Sequence, residues 1–417
     1  MKAKKNAWLI SGVRTPIGSF GKSLRSVTVD KLAAHVMKGA LRRGKVTPSK
    51  LDAVILGHGY QSSYTPNTGR VSAQLAGIPD SVPAMTVQRQ CGSGMEAANL
   101  AAEKIWLGKA DLVLAGGAES MSTIPYQLPG EYRWSGPIVK WFGKWVRPQG
   151  PRPILFALAD NGLAPLKLIW DMKTVYMSGT AQRLASTYQI SRQEADRYAL
   201  RSQELAHNAI TSGRFDEEIE PIETGRGYFS RDEHARGVKS ERNPKGTSIE
   251  SLSALGGVLK TKDITAGNSS GINDGACALV IASDEKVAEL GVEPLALLVD
   301  HAVAGVDHEQ MGIGPVEAIK KLLTANNLTI ADIDLIEINE AFAAQYLACE
   351  KLLGLDRNKV NVNGGAIALG HPIGMSGSRL ILTLAHELKR QGKKRGIAAL
   401  CIGGGMGIAT LIENPSA

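Results

Sequence analysis

Cys91 stands where a buried strand, a sharp turn and a helix start meet, in the stretch Pro83 to Ala98. A helix N-terminus carries partial positive charge and unpaired N–H groups, so a thiol there is expected to lose its proton more easily than usual. Gly92 and Gly94 leave the backbone bare for a substrate to approach. A lone buried cysteine is more often an inert small hydrophobe, so the rest of the chain must decide. Three further stretches carry reactive types: Asn339-Glu340-Ala341-Phe342-Ala343, Gly364 to Gly377 with His371 before Pro372, and Cys401-Ile402-Gly403-Gly404-Gly405-Met406-Gly407. Singly, each has a bland reading. Asn339 could cap a helix, His371 could be a turn residue, and Cys401 could be core. Together they bring two thiols, an imidazole, an amide and a run of glycines, residue types that nucleophilic and acid–base chemistry uses.

The elements around these residues suggest why they would meet. A strand from Ala7 to Ile10 leads into a Gly/Pro turn, and a helix is expected from Thr28 to Arg42. Strands at Leu51–Leu56, Ala84–Val87 and Asp111–Leu114 alternate with helices near Gly69–Ala76 and from Cys91 to Leu107, which implies a mostly parallel sheet. The pattern returns late in the chain: Asp332–Ile338, Lys359–Val362 and Arg395–Ile402 repeat the same order over about 60 residues, as an internal duplication would. Two similar halves facing each other bring the loops at Cys91, Asn339, His371 and Cys401 to one place. Between the halves the composition changes. A strongly helical stretch, Ser178–Ser212, has Ser191 and Glu194 as a capping box. The expected division is 1–122 and 247–284 for a first half, 123–246 for an inserted loop and helical domain, and 285–417 for a second half.

Composition bounds the function. The 417 residues suffice for two or three domains. No apolar run is long enough for a transmembrane helix, and Met1–Asn6 leads straight into a strand, so the expectation is a cytoplasmic protein. The net charge of +8 attracts phosphate-bearing partners, but no nucleic-acid-binding signature accompanies it. No nucleic-acid partner is therefore expected. The four cysteines (Cys91, Cys277, Cys349, Cys401) form no C-x-x-C pair, which argues against a metal site or a disulfide framework. Cys277 and Cys349 read as core; His58 and His308 stay unassigned. The Trp134–Arg152 stretch mixes aromatic and basic residues, as a partner-chain or membrane contact would, or as a lid over the site would.

In this order and spacing, C-G-S-G, N-E-A-F, G-H-P-I-G-M-S-G and C-I-G-G-G, with Thr265–Ala276 as a fifth motif, resemble the thiolases over essentially the whole chain. The resemblance implies an α/β thiolase fold, a duplicated α-β-α-β-α sandwich with a loop domain inserted in its first half. It implies CoA-dependent cleavage of a 3-oxoacyl-CoA, or the reverse condensation, with coenzyme A as co-substrate and no permanently bound cofactor. Cys91 would be the acylated nucleophile, His371 its base, and Cys401 the acid and base for the acetyl carbanion. One oxyanion hole would use His371 and a water held by Asn339; the other would use the N–H groups of Cys91 and Gly403. Ser270, Phe342, Met177, Ala266 and Gly267 match positions that contact CoA or substrate. Members are homodimers or homotetramers. Tyr176 stands where acetoacetyl-specific thiolases carry a histidine, which favours a longer or different acyl group. Gly256-Gly257 replaces a basic residue and proline near the CoA loop, and 126–173 departs from the common pattern. An acetoacetyl-CoA-forming enzyme and a non-catalytic acyl-CoA-binding protein of the same fold are the alternatives. A ketoacyl synthase is set aside because Cys401 and the Asn339 motif are both present.

Overall fold

The computed structural model describes residues 5–125, 139–141, 144–146, 167–170, 173–225, 227–240 and 243–417. The side chains of the Trp134–Arg152 stretch lie outside these residues, and so does most of the segment 126–173.

Ten strands form one sheet. In chain order they are β1 (Ala7–Arg14), β2 (Gly18–Ser19), β3 (Ala53–Gly57), β4 (Ala84–Val87), β5 (Leu112–Ser120), β6 (Asn273–Ala282), β7 (Ala296–Gly305), β8 (Leu335–Ile338), β9 (Arg395–Ile402) and β10 (Met406–Glu413). Leaving out the short β2, the spatial order is β8-β9-β10-β7-β1-β6-β5-β3-β4. Read outward from the centre, β1-β6-β5-β3 on one side matches β7-β10-β9-β8 on the other. The parallel pairs β3/β5 and β8/β9 occupy the same place in each half. The two half-sheets join edge to edge through three residue pairs, Ala7–Leu9 against Leu298–Ala296.

The duplication expected from sequence is thus present in the strand order, with two corrections. The sheet is not mostly parallel: only β3/β4, β3/β5 and β8/β9 run parallel, because the central strands β1, β6, β7 and β10 pair antiparallel with their neighbours. Lys359–Val362 is not a strand. Arg357–Lys359 forms a 3-10 turn, and a single bridge, Ile336 to Val360, stands where β4 stands in the first half. The backbone is held there by side chains: Asn361 (φ 48) accepts from Ile338 N and donates to Ile338 O, at 2.9 Å each. That local bonding replaces a ladder.

The helices that matter are α1 (Val29–Arg43), α2 (Thr68–Leu75), α3 (Ser93–Trp106), α4 (Met177–Thr187), α5 (Arg192–Thr211), α6 (Gly314–Ala325), α7 (Ala343–Leu353) and α8 (Ile373–Gln391). The helical stretch expected over Ser178–Ser212 is two helices. Gln189 takes a positive φ of 51° between them, and the Ser191–Glu194 capping box starts the second.

Alternation along the strands builds the layers. In β6, Cys277, Leu279 and Ile281 join the core of α3 and α8, while Ala276, Ala278 and Val280 pack with Leu32, Val36 and Met37 of α1. In β9, Ala398, Leu400 and Ile402 face α3 and α8, while Ile397 and Ala399 pack with Ile319 and Leu322 of α6 and Leu347 of α7. The result is a five-layer α-β-α-β-α sandwich with α3 and α8 in the middle. Each fully buried aliphatic side chain contributes about 1.5–3 kcal/mol. The central layer is thin at one end: a Cβ on Gly117 of β5 would lie 1.9 Å from Gly374 O at the start of α8, so only glycine permits that approach. No described helix is long and apolar enough to cross a membrane.

Candidate active site

The central helices α3 and α8 begin at the same end of the sandwich, beside the ends of β8 and β9. Cys91 sits two residues before α3. The turn that presents it is strained and stitched. Gln90 has φ 44°, a left-handed value that non-glycine residues avoid. Ser93 Oγ donates to Gln90 O at 2.6 Å and accepts from Arg89 N at 2.9 Å.

The helix-start reasoning expected an acidic thiol at Cys91, and the structure corrects it. Burial pushes the Cys91 thiol up to about 11. The backbone N–H groups of Gly403 and of Cys91 itself pull it down only in part, and the nearby Glu119 carboxylate pushes it further up. Desolvation outweighs a partial charge here. A thiol raised in this way would need a base to act as a nucleophile. The same contact places the Gly403 N–H at the sulfur, where a thioester oxygen bound to Cys91 would develop charge.

His371 precedes Pro372, the N-cap of α8. Its backbone N–H is held by Asn273 Oδ1 at 3.0 Å, and its Nδ1 lies 2.6 Å from Ser376 Oγ. Burial first, then Arg379, lowers the imidazole to about 4. Its Nε2 is buried and without a partner. Asn339 follows β8 directly. It is fully buried, its main chain bonds to Ala399 O at 3.0 Å, and both atoms of its side-chain amide lack partners. A native protein rarely leaves such groups orphaned unless they face a ligand or a water. Cys401 lies near the end of β9, and its thiol is held well above the usual range by burial and by the neighbouring Cys91 and Cys349 sulfurs. Gly404 (φ 93) and Gly405 (φ 86) close the turn to β10 through conformations that favour glycine.

One cavity of about 570 Å³ collects the two thiols and the imidazole behind mainly apolar walls, a size typical of a ligand pocket; Asn339 is buried outside its lining, which the same motif reaches at Ala341 and Phe342. Cys91, His371, Cys401, Gly403, Ser270, Phe342, Met177 and Ala266 all line it. Gly267 lines a smaller neighbouring cavity of about 180 Å³ that shares His234, Arg236 and Ala266 with the first. Tyr176 lines neither and is 40% exposed. As N-cap of α4 it holds extended backbone (φ −80°, ψ 139°), and the chain turns inward only at Met177 and Ser178.

Sequence reasoning missed several residues. Tyr60, Met121, Met311, Ile373, His234 and Arg236 also line the main cavity. His234 and Arg236 are carried by a segment that fully buried Arg14 anchors, through Asp232 (2.7 and 2.9 Å) and Glu218 (2.6 Å). The partners of Arg14 lie more than 200 positions away in sequence and carry no local signal. Glu340 was read only as part of N-E-A-F. It is a fully buried carboxylate that accepts from Tyr198 Oη (2.7 Å), Ser202 Oγ (2.7 Å), Asn361 Nδ2 (3.0 Å) and Ile367 N (3.1 Å). It ties the Asn339 loop to the loop that leads to His371.

The fold and this arrangement define a CoA-dependent acyl-transfer enzyme, and the comparisons agree. Residues 7–285 match the model of the thiolase N-terminal domain, and residues 292–414 that of the thiolase C-terminal domain. The chain belongs to the thiolase family and is an acyltransferase. It is 43% identical to an acetyl-CoA acetyltransferase of Cupriavidus necator, across 97% of this chain and 98% of the relative. The crystal structure of the Bacillus anthracis acetyl-CoA acetyltransferase superposes with a TM-score of 0.89 at 45% identity, covering 99% of this chain and 100% of that one. Human mitochondrial 3-ketoacyl-CoA thiolase, solved in complex with CoA, gives 0.87 at 39% identity, over 98% of each chain.

Proposed function

We propose that the enzyme cleaves a 3-oxoacyl-CoA with coenzyme A by way of an acyl-Cys91 intermediate, and that it runs the reverse condensation with the same residues. His371 Nε2 takes the Cys91 proton as the sulfur attacks the ketone carbon. The bond between that carbon and the alpha carbon breaks, and Cys401 gives its proton to the departing acetyl-CoA carbanion. In the second half the Cys401 thiolate takes the proton of the incoming CoA thiol, the CoA sulfur takes the acyl group from Cys91, and the departing Cys91 thiolate recovers its proton from the His371 imidazolium. Two oxyanions form along the way. One is met by the N–H groups of Cys91 and Gly403, the other by His371 Nε2 and a water on Asn339.

The observation that carries this reading is a cavity lined by two thiols, Cys91 and Cys401, and by His371, whose Nε2 is buried and unpartnered; the unpartnered Asn339 amide is buried two residues from the lining Ala341. Ser270, Phe342, Met177 and Ala266 would flank the pantetheine arm, and the segment 123–246 would set acyl selectivity. Formation of acetoacetyl-CoA from two acetyl-CoA molecules is a second reading, supported by the names of two of the relatives. The family likeness extends the proposal to a cytoplasmic homodimer or homotetramer in fatty-acid breakdown. Rates of CoA-dependent cleavage across acetoacetyl-CoA and longer or aryl 3-oxoacyl-CoAs test it. Absence of cleavage on the whole panel would sink the catalytic reading, and a sole preference for acetoacetyl-CoA would select the second.

A further inference from the structure

Gln345 and Cys349 stand one turn apart on α7, both fully buried, and the steps above use neither. Gln345 Oε1 accepts from Ala341 N at 3.2 Å. A backbone N–H only donates, so the oxygen of the amide faces Ala341 and its NH2 group faces the other way. There Nε2 donates to Cys349 Sγ at 3.6 Å, and Cys349 Sγ in turn lies 3.3 Å from Gly312 O. A carbonyl only accepts, so the thiol proton goes to Gly312. Burial pushes the Cys349 thiol up to about 12, so it keeps that proton at neutral pH.

The two ends of this relay flank Cys401. Gly312 follows Met311, and Met311, Ala341 and Cys401 pack together as one buried cluster, with Met177 and Phe342 against it. All of them line the catalytic cavity. The two turns come from different parts of the chain: Gly312 precedes α6, whereas Ala341 lies between β8 and α7. Gly312 has little room to drift, since a Cβ there would lie 2.6 Å from Leu184 Cδ1 of α4 and 2.7 Å from Gln345 Cγ. Ala341 is also held through its carbonyl, which accepts from Ser270 N at 3.0 Å. The Cys349 sulfur is near enough to Cys401 to be among the causes that hold that thiol up.

We propose that Gln345 and Cys349 are positioning residues for Cys401: their hydrogen bonds fix Met311 and Ala341 at the spacing that aims the Cys401 thiol into the cavity. Apolar packing alone is non-directional, and a methionine adapts readily to a changed neighbour. The relay supplies the direction that packing lacks. A proton carrier must stay within hydrogen-bond reach of the atom it serves, and a misplacement of about 1 Å can cost about 10²-fold in rate. Cys349 thus does more than fill the core. The positioning role rests on the reading of Cys401 as proton carrier; the directions of the hydrogen bonds do not.

Gln345→Met keeps the volume and removes both amide bonds. Its kcat should fall on the order of tenfold with the KM for CoA little changed, while Cys91 in the free enzyme is alkylated within about twofold of the parental rate. Cys349→Ala should lose a similar factor, and Cys349→Ser, whose hydroxyl can make both bonds, should recover to within about threefold of the parent. Equal losses in the alanine and serine variants would overturn the relay. A double-mutant cycle then asks whether the relay acts through Cys401: in a Cys401→Ser background, Gln345→Met should cost nothing further. Losses that multiply in the double variant would overturn the positioning role and leave the Cys401 reading intact. Unchanged turnover in Cys401→Ser alone would overturn that reading instead. Should Gln345→Met not fold, Cys349→Ala and Cys401→Ser complete the same cycle with the same expectations.

Discussion

His371 Nδ1 donates to Ser376 Oγ, 2.6 Å away, because Ser376 gives its own proton to Pro372 O at 2.8 Å. One hydroxyl thus selects the tautomer: Nδ1 carries the hydrogen and Nε2 is left bare toward the cavity. A base at Nε2 would be ready before substrate arrives. Ser376→Ala releases that constraint. Loss of a hydrogen bond worth about 1 kcal/mol should lower kcat roughly five- to tenfold with little change in KM. Steady-state kinetics on one 3-oxoacyl-CoA checks this, and a change confined to KM would speak against a tautomer role.

The Cys91–His371 pair should be neutral at rest. With the folded thiol at about 11, alkylation of Cys91 by iodoacetamide in the free enzyme should climb about tenfold per pH unit through pH 9, without the plateau near 8.5 that an ordinary thiol shows. The linkage has a definite sign. An unfolded Cys91 ionises near 8.5, whereas the folded one keeps its proton to about 11. The stabilisation from this group is therefore complete below about pH 8.5 and declines as pH rises toward 11. Mass-resolved alkylation rates across pH 6–10 decide the matter.

On the proposed mechanism the two thiols should divide the reaction. Cys91→Ala should abolish the covalent acyl adduct detected by intact mass. Cys401→Ser should still form some adduct, while turnover falls by about 10²–10⁴, the usual contribution of a positioned acid or base. Equal loss of adduct in both variants would contradict separate roles.

Asn339 is fully buried with both amide atoms free of protein partners. Asn339→Leu preserves volume and removes the group that would orient a water in an oxyanion hole. We expect kcat to drop about 10²–10³-fold, with the thermal midpoint maintained or raised because an unpartnered amide is gone.

Glu340 is structural to the site. Glu340→Leu would strand the donors on Tyr198, Ser202, Asn361 and Ile367. At about 1–3 kcal/mol for each buried group left unpaired, the loss should exceed about 3 kcal/mol in urea unfolding, and activity should fall with it. A variant as stable as the parent would show that the four donors find other partners.

Legibility in the sequence followed the range of the interactions. Cys91, His371, Asn339 and Cys401 stand in short motifs, and the duplicated strand order hinted that their loops meet. The α3 and α4 starts and the Ser191 capping box were equally local and could be read from neighbouring residues. What escaped was set at a distance. The Cys91 thiol was misjudged because the helix start is visible in sequence, whereas the burial that overrides it is made by β9 and α8. Tyr176 aligned with a substrate position, yet one residue of rotation at the α4 N-cap turns it to solvent. Tyr60, His234 and Arg236 reach the cavity through loops fastened by Glu119 and Arg14, whose partners come from other parts of the chain.

The ladder between the two half-sheets is three residues long, and Cys91 and His371 belong to different halves. The distance between them is thus set at the α3–α8 contact of the middle layer. Nothing local to either turn can restore it once the α3–α8 contact slides. Mild hydrostatic pressure or sub-denaturing urea should therefore silence turnover while both half-sheets remain intact. An assay of activity would register that slip before any spectroscopic sign of melting.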